Sequence, residues 1–208
     1  MNLFGTTSAE LGEILADVHN DTVRACGIVQ DMRDLFAGEI TRKAFVRVNE
    51  IVKNVVRTMS NEARLSHSSL IAGLSADVPE ICADGAQVEH AITNLVWNGL
   101  EAMEDTHPRE RSLVVSTRYE DGYVEISVSD KGDGIQPRAF PHLFETYFTT
   151  KPDRMGLGLA VSRSIAELHQ GTITGENNSG RGATFRLRLP VDQTEDLAEP
   201  ALRAVSAG

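Results

Sequence analysis

Two strand-like runs, Ser112–Tyr119 and Tyr123–Ser129, meet at Asp121-Gly122, and this junction constrains the fold more than any other stretch. An Asp-Gly pair between β-patterned segments is the strongest short-range signal for a tight hairpin. In the second run Val124, Ile126 and Val128 alternate with polar residues, so one face of the hairpin is apolar and must be covered. A lone hairpin is marginal in water, so the chain has to supply more strands and a second layer.

The flanking sequence supplies both. Phe45–Val48, Ser69–Leu74 and Glu80–Cys82 read as short strands before the hairpin, and Thr172–Glu176 with Ala183–Leu189 as a second hairpin after it. A helix starting at Asn49 and running to about Leu65 carries Ile51, Val55, Val56 and Met59 at helical spacing. Asp84 is placed to cap a long helix bearing Val88, Ala91, Ile92, Leu95, Val96, Leu100 and Met103, and a third helix runs from about Leu157 to His169. Helices segregated from antiparallel strands in this order predict an α+β, two-layer α/β sandwich with helices on one face of the sheet. With aromatic residues at only 5%, its core is aliphatic.

Residues 1–40 follow a different rule. Leu11, Leu15, Val18, Thr22, Ala25, Val29, Met32 and Phe36 step by fours and threes, a heptad seam, with Ser8 as cap and Gly38 as stop. A single helix with such a face needs a partner. The stretch 41–191 is the mixed domain, and 192–208 is acidic, alanine-rich and without aromatics, which reads as a disordered tail. Twenty Lys and Arg against thirty Asp and Glu give a net charge of −10, which argues against a nucleic-acid groove. No run is apolar over the ~20 residues needed to span a bilayer. Cys26 and Cys82 have no metal-ligand spacing, and a reduced, cytoplasmic setting with both thiols packed as small apolar groups is the expectation.

Three stretches carry chemistry. Asp130-Lys131-Gly132-Asp133-Gly134 follows a strand: the carboxylate stands at the strand end, where it can meet an amino group, and the glycine turn lets backbone approach a flat ligand. Met155-Gly156-Leu157-Gly158-Leu159 opens a helix, where converging N–H groups and the helix dipole favour phosphate, with Lys151 and Arg154 just upstream. Asn94 and Asn98 lie four apart on one helix and share a face; an amide oxygen is a neutral, hard ligand for Mg2+. Asn178 to Phe185 reads by itself only as a turn into a strand.

Taken together and in order, these stretches resemble the boxes of the ATPase superfamily of histidine kinases, DNA gyrase B, Hsp90 and MutL, and most closely a bacterial two-component sensor histidine kinase. Gln87–Met103 is similar to the N box, Asp130–Gly134 to the first G box and Leu143–Lys151 to the F box. Gly156–Leu159 is similar to the second G box and Gly180–Phe185 to the third. The resemblance covers roughly residues 8 to 190. It implies a mixed sheet with helices on one face, ATP and Mg2+ as ligands, and the following roles. Asp130 would bind the adenine amino group, supported by Thr184, with Gly132 and Gly134 in its turn. Asn98 would hold Mg2+, with Asn94 beside it as a catalytic residue. Gly156, Leu157, Gly158 and Leu159 would admit the phosphates. Residues 144–156, with Phe144, Phe148 and Thr150, would form a mobile lid from which Lys151 reaches the terminal phosphates.

The resemblance also makes residues 1–40 part of a dimerisation hairpin, with Ala25–Arg33 similar to its second helix. A homodimer through this helix follows. The acceptor histidine belongs on the first helix of that hairpin, and nothing before Ala9 supplies it; His19, in His19-Asn20-Asp21-Thr22, lacks the expected proline. The implied partners are therefore a histidine-bearing hairpin in trans and a response-regulator receiver domain. Two other readings stay open: an ATP-binding dimeric adaptor without kinase activity, and a gyrase-like or MutL-like ATPase. The latter relatives carry Glu where Asn94 stands and need a further transducer domain.

Overall fold

The computed structural model describes residues 43–151 and 155–191, together with Gly12. The expected dimerisation helix with Cys26 and His19, Arg154, and the acidic tail lie outside the described residues.

The described chain runs β1 (Ala44–Val46), α1 (Val48–Leu65), β2 (Ser69–Leu74), β3 (Ile81–Ala83), α2 (Gly85–Ala102), β4 (Ser112–Glu120), β5 (Tyr123–Ser129), α3 (Gly158–Leu168), β6 (Thr172–Asn177) and β7 (Ala183–Pro190). Five strands form one sheet in the order β2-β4-β5-β7-β6, while β1 and β3 pair separately as a small antiparallel ribbon. The hairpin at Asp121-Gly122 pairs Glu120 with Tyr123, in the register that its two-residue turn dictates. One pairing differs from the expectation of antiparallel strands: β2 runs parallel to β4. Parallel neighbours need a crossover, and the 37 residues between them, with β3 and α2 inside, provide it. Val48 also moves from the predicted first strand into α1, where it is fully buried.

All three helices lie against the sheet. Val52, Val55 and Met59 of α1, Ile92, Leu95 and Val96 of α2, and Val161 and Ile165 of α3 are buried, as are Leu113, Val115, Val124, Ile126, Val128, Leu187 and Leu189 from the sheet. Among the described residues no phenylalanine or tryptophan is fully buried, in keeping with the low aromatic content. Cys82 is buried as a small apolar group. On the opposite sheet face Glu125 is covered by arginines: Arg118 Nε and Nη2 donate to its two oxygens at 3.0 and 3.2 Å, and Arg186 Nη1 donates at 3.2 Å. No helix among the described residues is long and apolar enough to cross a membrane.

The start of α2 and the end of α3 are tied together. Asp84 caps α2 as expected, its Oδ1 accepting from Ala86 N at 3.0 Å and Gln87 N at 3.3 Å. Its own backbone N–H donates to Nε2 of His169 at 2.9 Å, and the other ring nitrogen of His169 donates to the Ile165 carbonyl at 2.8 Å. Both bonds require a neutral imidazole with its proton on Nδ1. His169 is fully buried, and burial, above all, holds its pKa below the ordinary imidazole value.

The unfolded chain takes up this proton near the ordinary imidazole value of about 6.5, the folded chain only at lower pH. The His169 contribution is therefore complete above that pH and is lost as the pH falls toward the folded value. Denaturant unfolding between pH 8 and pH 5 should show stability declining below about pH 6.5. In His169→Gln that component of the slope should disappear; an unchanged slope would remove His169 as its source.

Candidate functional site

The centre of the site is the end of β5. Asp130 is 3% exposed; its backbone N–H donates to the Ala183 carbonyl at 2.9 Å, and its Oδ1 accepts from Gly132 N at 2.8 Å and Ala183 N at 3.2 Å. Burial pushes the carboxyl pKa up, while these backbone donors and the Lys151 ammonium pull it back. A carboxylate whose one oxygen is consumed by its own turn presents the other to a ligand in a fixed direction. Gly132 is required for this: a Cβ there would run into the carbonyl of Ala102 at the end of α2. Gly134 follows at φ +77°, and the next residue, Ile135, is clamped through both its N–H and its carbonyl by Asn177 at 2.6 and 2.9 Å.

The turn between β6 and β7 braces this loop from behind. Asn178 Nδ2 donates to the Asp130 carbonyl at 2.9 Å, and Asn178 N to the Gly182 carbonyl at 2.9 Å. The sequence marks Asn178 only as the start of a turn and gives Asn177 no role; adjacent amides at a hairpin turn opposite an Asp-x-Gly loop are the available cue.

Thr184 does not join Asp130. It pairs with Ser129 in the β5–β7 ladder and points with it to the sheet face opposite the helices. There the Thr184 hydroxyl lies 2.8 Å from Ser129 Oγ and 2.7 Å from Asn178 Oδ1. The β7 residue that bonds the Asp130 carboxylate directly is Ala183, through its backbone N–H. Ser112, Val114 and Ser129 on that opposite face line a cavity of about 360 Å³ together with the Asp130-Lys131 turn, Asn178, Gly180 and Arg181.

Helix α2 forms the second wall. Asn94, Asn98 and Glu101 share one face by helical spacing. Asn94 Nδ2 donates to the Gly158 carbonyl at 3.3 Å, which ties α2 to the first turn of α3. The nitrogen of the Asn98 amide is buried without a hydrogen-bond partner. Glu101 Oε2 accepts from Lys151 Nζ at 2.6 Å. Burial lowers the Lys151 pKa, against the pull of Glu104 and Asp130.

The third wall is the start of α3 and the segment before it. Leu157 stands at the N-cap with no side-chain capping bond, so the first-turn N–H groups keep their donor capacity for an anion. Leu157 is buried and Leu159 half-buried, and both fasten the turn to the core. Upstream, Phe144 and Phe148 are half-buried, Thr150 is exposed, and His142 and Phe148 stack with ring centroids 5.6 Å apart. Tyr147 N donates to the Gly156 carbonyl at 3.0 Å, closing this segment on itself. Gly156 has φ +68°, and a Cβ there would strike the Phe148 backbone, whereas one on Gly158 would meet Asn94 at an ordinary 3.6 Å. The two glycines thus differ: Gly156 shapes the segment, and Gly158 opens the helix.

The structure therefore gathers Asp130, Gly132, Gly134, Asn94, Asn98, Lys151, Gly156 and Gly158 around one cleft between α2, α3 and the end of β5. Residues 83–193 match the family of histidine kinase-, DNA gyrase B- and HSP90-like ATPases. That is more than half of the chain, and the chain belongs to this ATPase family, whose common ligand is ATP. Among its relatives, the sensor protein FixL of Bradyrhizobium diazoefficiens is 36% identical over 168 residues, which are 81% of this chain and 33% of FixL. The sensor histidine kinase ZraS of Escherichia coli is 30% identical over 91% of this chain and 39% of its own length. The chain thus spans about a third of the length of these curated relatives. The fold matches the catalytic domain of histidine kinase ThkA with a TM-score of 0.65 at 24% identity, over 73% of this chain and 97% of that one. Full-length ShkA, solved in complex with AMPPNP, matches with a TM-score of 0.71 at 23% identity, over 88% of this chain and 39% of that one.

Asp130→Asn keeps an oxygen for Gly132 N and Ala183 N, so the turn should survive while the ligand-facing atom changes from acceptor to donor. Loss of a charged hydrogen bond of roughly 1.5–3 kcal/mol weakens ADP binding about tenfold or more, measured by calorimetry. Unchanged affinity would remove Asp130 from the site. Gly158→Ala should keep the melting temperature and weaken ADP binding. Gly156→Ala should lower the melting temperature, since a non-glycine residue in this conformation costs about 1–3 kcal/mol.

Proposed function

We propose that this chain is the ATP-binding catalytic part of a sensor histidine kinase, which transfers the γ-phosphoryl group of ATP to a histidine on a partner helix hairpin. The observation that carries this reading is the cleft itself. A fixed acceptor in Asp130, an uncapped helix start at Gly158 and the amide of Asn98 stand together in a chain whose relatives are sensor kinases.

In this reading adenine meets Asp130, and the phosphates lie at the N-terminus of α3. Asn98 would hold Mg2+, since its amide oxygen is a neutral, hard donor of the kind this ion takes. When bound, that ion neutralises charge developing on the transferred group. Lys151 adds a mobile positive charge, and Asn94 acts as a positioning residue by holding the first turn of α3. An amide at position 94 has no basic lone pair with which to activate water, which favours phosphoryl transfer over the hydrolysis of gyrase-like relatives.

The acceptor histidine is external in this proposal. His169 is fully buried and bonded at both nitrogens, which excludes it. Residues 1–40 serve as one helix of a dimerisation hairpin, 41–191 as the catalytic domain, and 192–208 as a tail, in a cytoplasmic two-component pathway. A response-regulator receiver domain is the downstream partner; histidine kinase ThkA has been solved in complex with a response regulator, TrrA.

The test is transfer. Incubated with γ-labelled ATP and Mg2+, the chain should label a supplied histidine-bearing hairpin with acid-labile phosphate and leave itself unlabelled. Asn98→Ala should abolish the transfer. Tight ATP binding with no transfer to any hairpin would favour the adaptor. Phosphate release without a hairpin would favour an ATPase.

A further inference from the structure

Strand β2 is an edge of the main sheet, paired with β4 on one side and with no described strand on the other. Its hydrogen bonds follow the alternation of a strand. Ser69 N donates to the Arg111 carbonyl at 2.9 Å and, past the far end, Ser75 N to the Thr117 carbonyl at 3.2 Å, so the odd-numbered residues face β4. The backbone N–H and carbonyl groups of Leu70, Ala72 and Leu74 therefore point away from the sheet. An open edge is a template for another strand, and folded proteins guard such edges with charge, proline or a covering segment. The other edge, β6, is guarded in this way: it carries Glu176, and Asn177 at its end is bonded to both backbone groups of Ile135. The stretch Ser69–Leu74 holds no charged residue and no proline, and Ile71 is 47% exposed with Ala72 exposed beside it.

We propose that β2 is a self-recognition edge: it pairs antiparallel with β2 of a second copy of this chain, about a two-fold axis at Ala72, and joins the two sheets into one. The occupant follows from the sequence of the strand. With Ala72 opposite Ala72 of the second copy, the outward groups of Leu70, Ala72 and Leu74 meet those of Leu74, Ala72 and Leu70, so each donor finds an acceptor. Leu70 then stands beside Leu74 of the second copy on the helix side of the sheet, where their β4 neighbours Leu113 and Thr117 are buried. On the opposite face Ile71 stands against Gly73 of the second copy, whose missing side chain leaves room for it. Charge points the same way: two chains of net charge −10 meet along a strand that carries none. The contact is small, and weak on its own. It is independent of the nucleotide reading and distinct from a dimer through residues 1–40.

The test is disulfide trapping in the 208-residue chain, with Cys26→Ser throughout; Cys82 is buried. In the proposed pair Ile71 and Gly73 of the two copies are non-hydrogen-bonded neighbours with Cα atoms about 4.5 Å apart, inside the range a disulfide spans. Like positions lie diagonally, out of that range. An oxidised equimolar mixture of Ile71→Cys and Gly73→Cys should therefore give a linked dimer on a non-reducing gel roughly tenfold faster than either variant alone. Adding Ala72→Pro to both, which removes the central N–H donors, should slow the linking roughly tenfold or more. Should Ala72→Pro melt early, Ala72→Lys decides instead, since it keeps the backbone and sets two like charges opposite each other. Three outcomes would each overturn the proposal: no link in the mixture, equal linking in the mixture and in the single variants, or linking that the folded Ala72 variant leaves unchanged.

Discussion

The geometry of the cleft depends on the lock that Asp130 makes with its own turn. One carboxylate oxygen is engaged by Gly132 and Ala183, and the backbone on either side is engaged by Ala183 and Asn178. These bonds couple β5 to β7 and to the β6–β7 turn, so the orientation of the second oxygen is set by the sheet rather than by side-chain rotamers. Desolvation opposes the arrangement and raises the carboxyl pKa, and the surrounding N–H groups offset part of that cost. The same turn sits on the carbonyl end of α2, so the helix bearing Asn98 and the strand end bearing Asp130 cannot shift independently.

Around this fixed point the remaining elements differ in how firmly they are held. Helix α2 is anchored at both ends, by Asp84 and His169 at its start and by the Gly132 turn at its finish. Helix α3 is anchored through His169 at its end and through Asn94 at its start, where its N–H groups remain uncapped. The segment before α3 closes on itself through Tyr147 and Gly156, and its Lys151 bonds Glu101 of α2.

Most of the fold was legible because its signals are local. Asp121-Gly122 fixed one hairpin, the cap at Asp84 fixed the start of α2, and strands β2 and β5 fall on the predicted residues. The parallel pairing of β2 with β4 was not legible, because strand order is a tertiary outcome that no short window encodes. Within the site, Asp130, Asn98 and the glycines stood out through residue type and spacing. Which face Thr184 takes was not legible, because adjacent residues on a strand point to opposite faces and a shift of one position crosses the sheet. The contacts of Asn177, Asn178 and Glu101 were not legible for another reason: each bonds a partner at least 42 residues away in sequence.

The charge balance explains why the site takes this form. A chain with thirty acidic and twenty basic residues cannot attract a polyphosphate by its overall field. In the proposed reading attraction is local, from the first N–H groups of α3 and from a cation held by the Asn98 amide oxygen. Neutral donors bind phosphate without competing for the acidic groups nearby, whereas a bare cation is captured by them, as Lys151 is by Glu101. A divalent ion carried in with the nucleotide avoids that capture, because part of its charge is already spent on phosphate oxygens. On the proposed reading, metal dependence would follow from the electrostatics of the surroundings as well as from the chemistry of transfer.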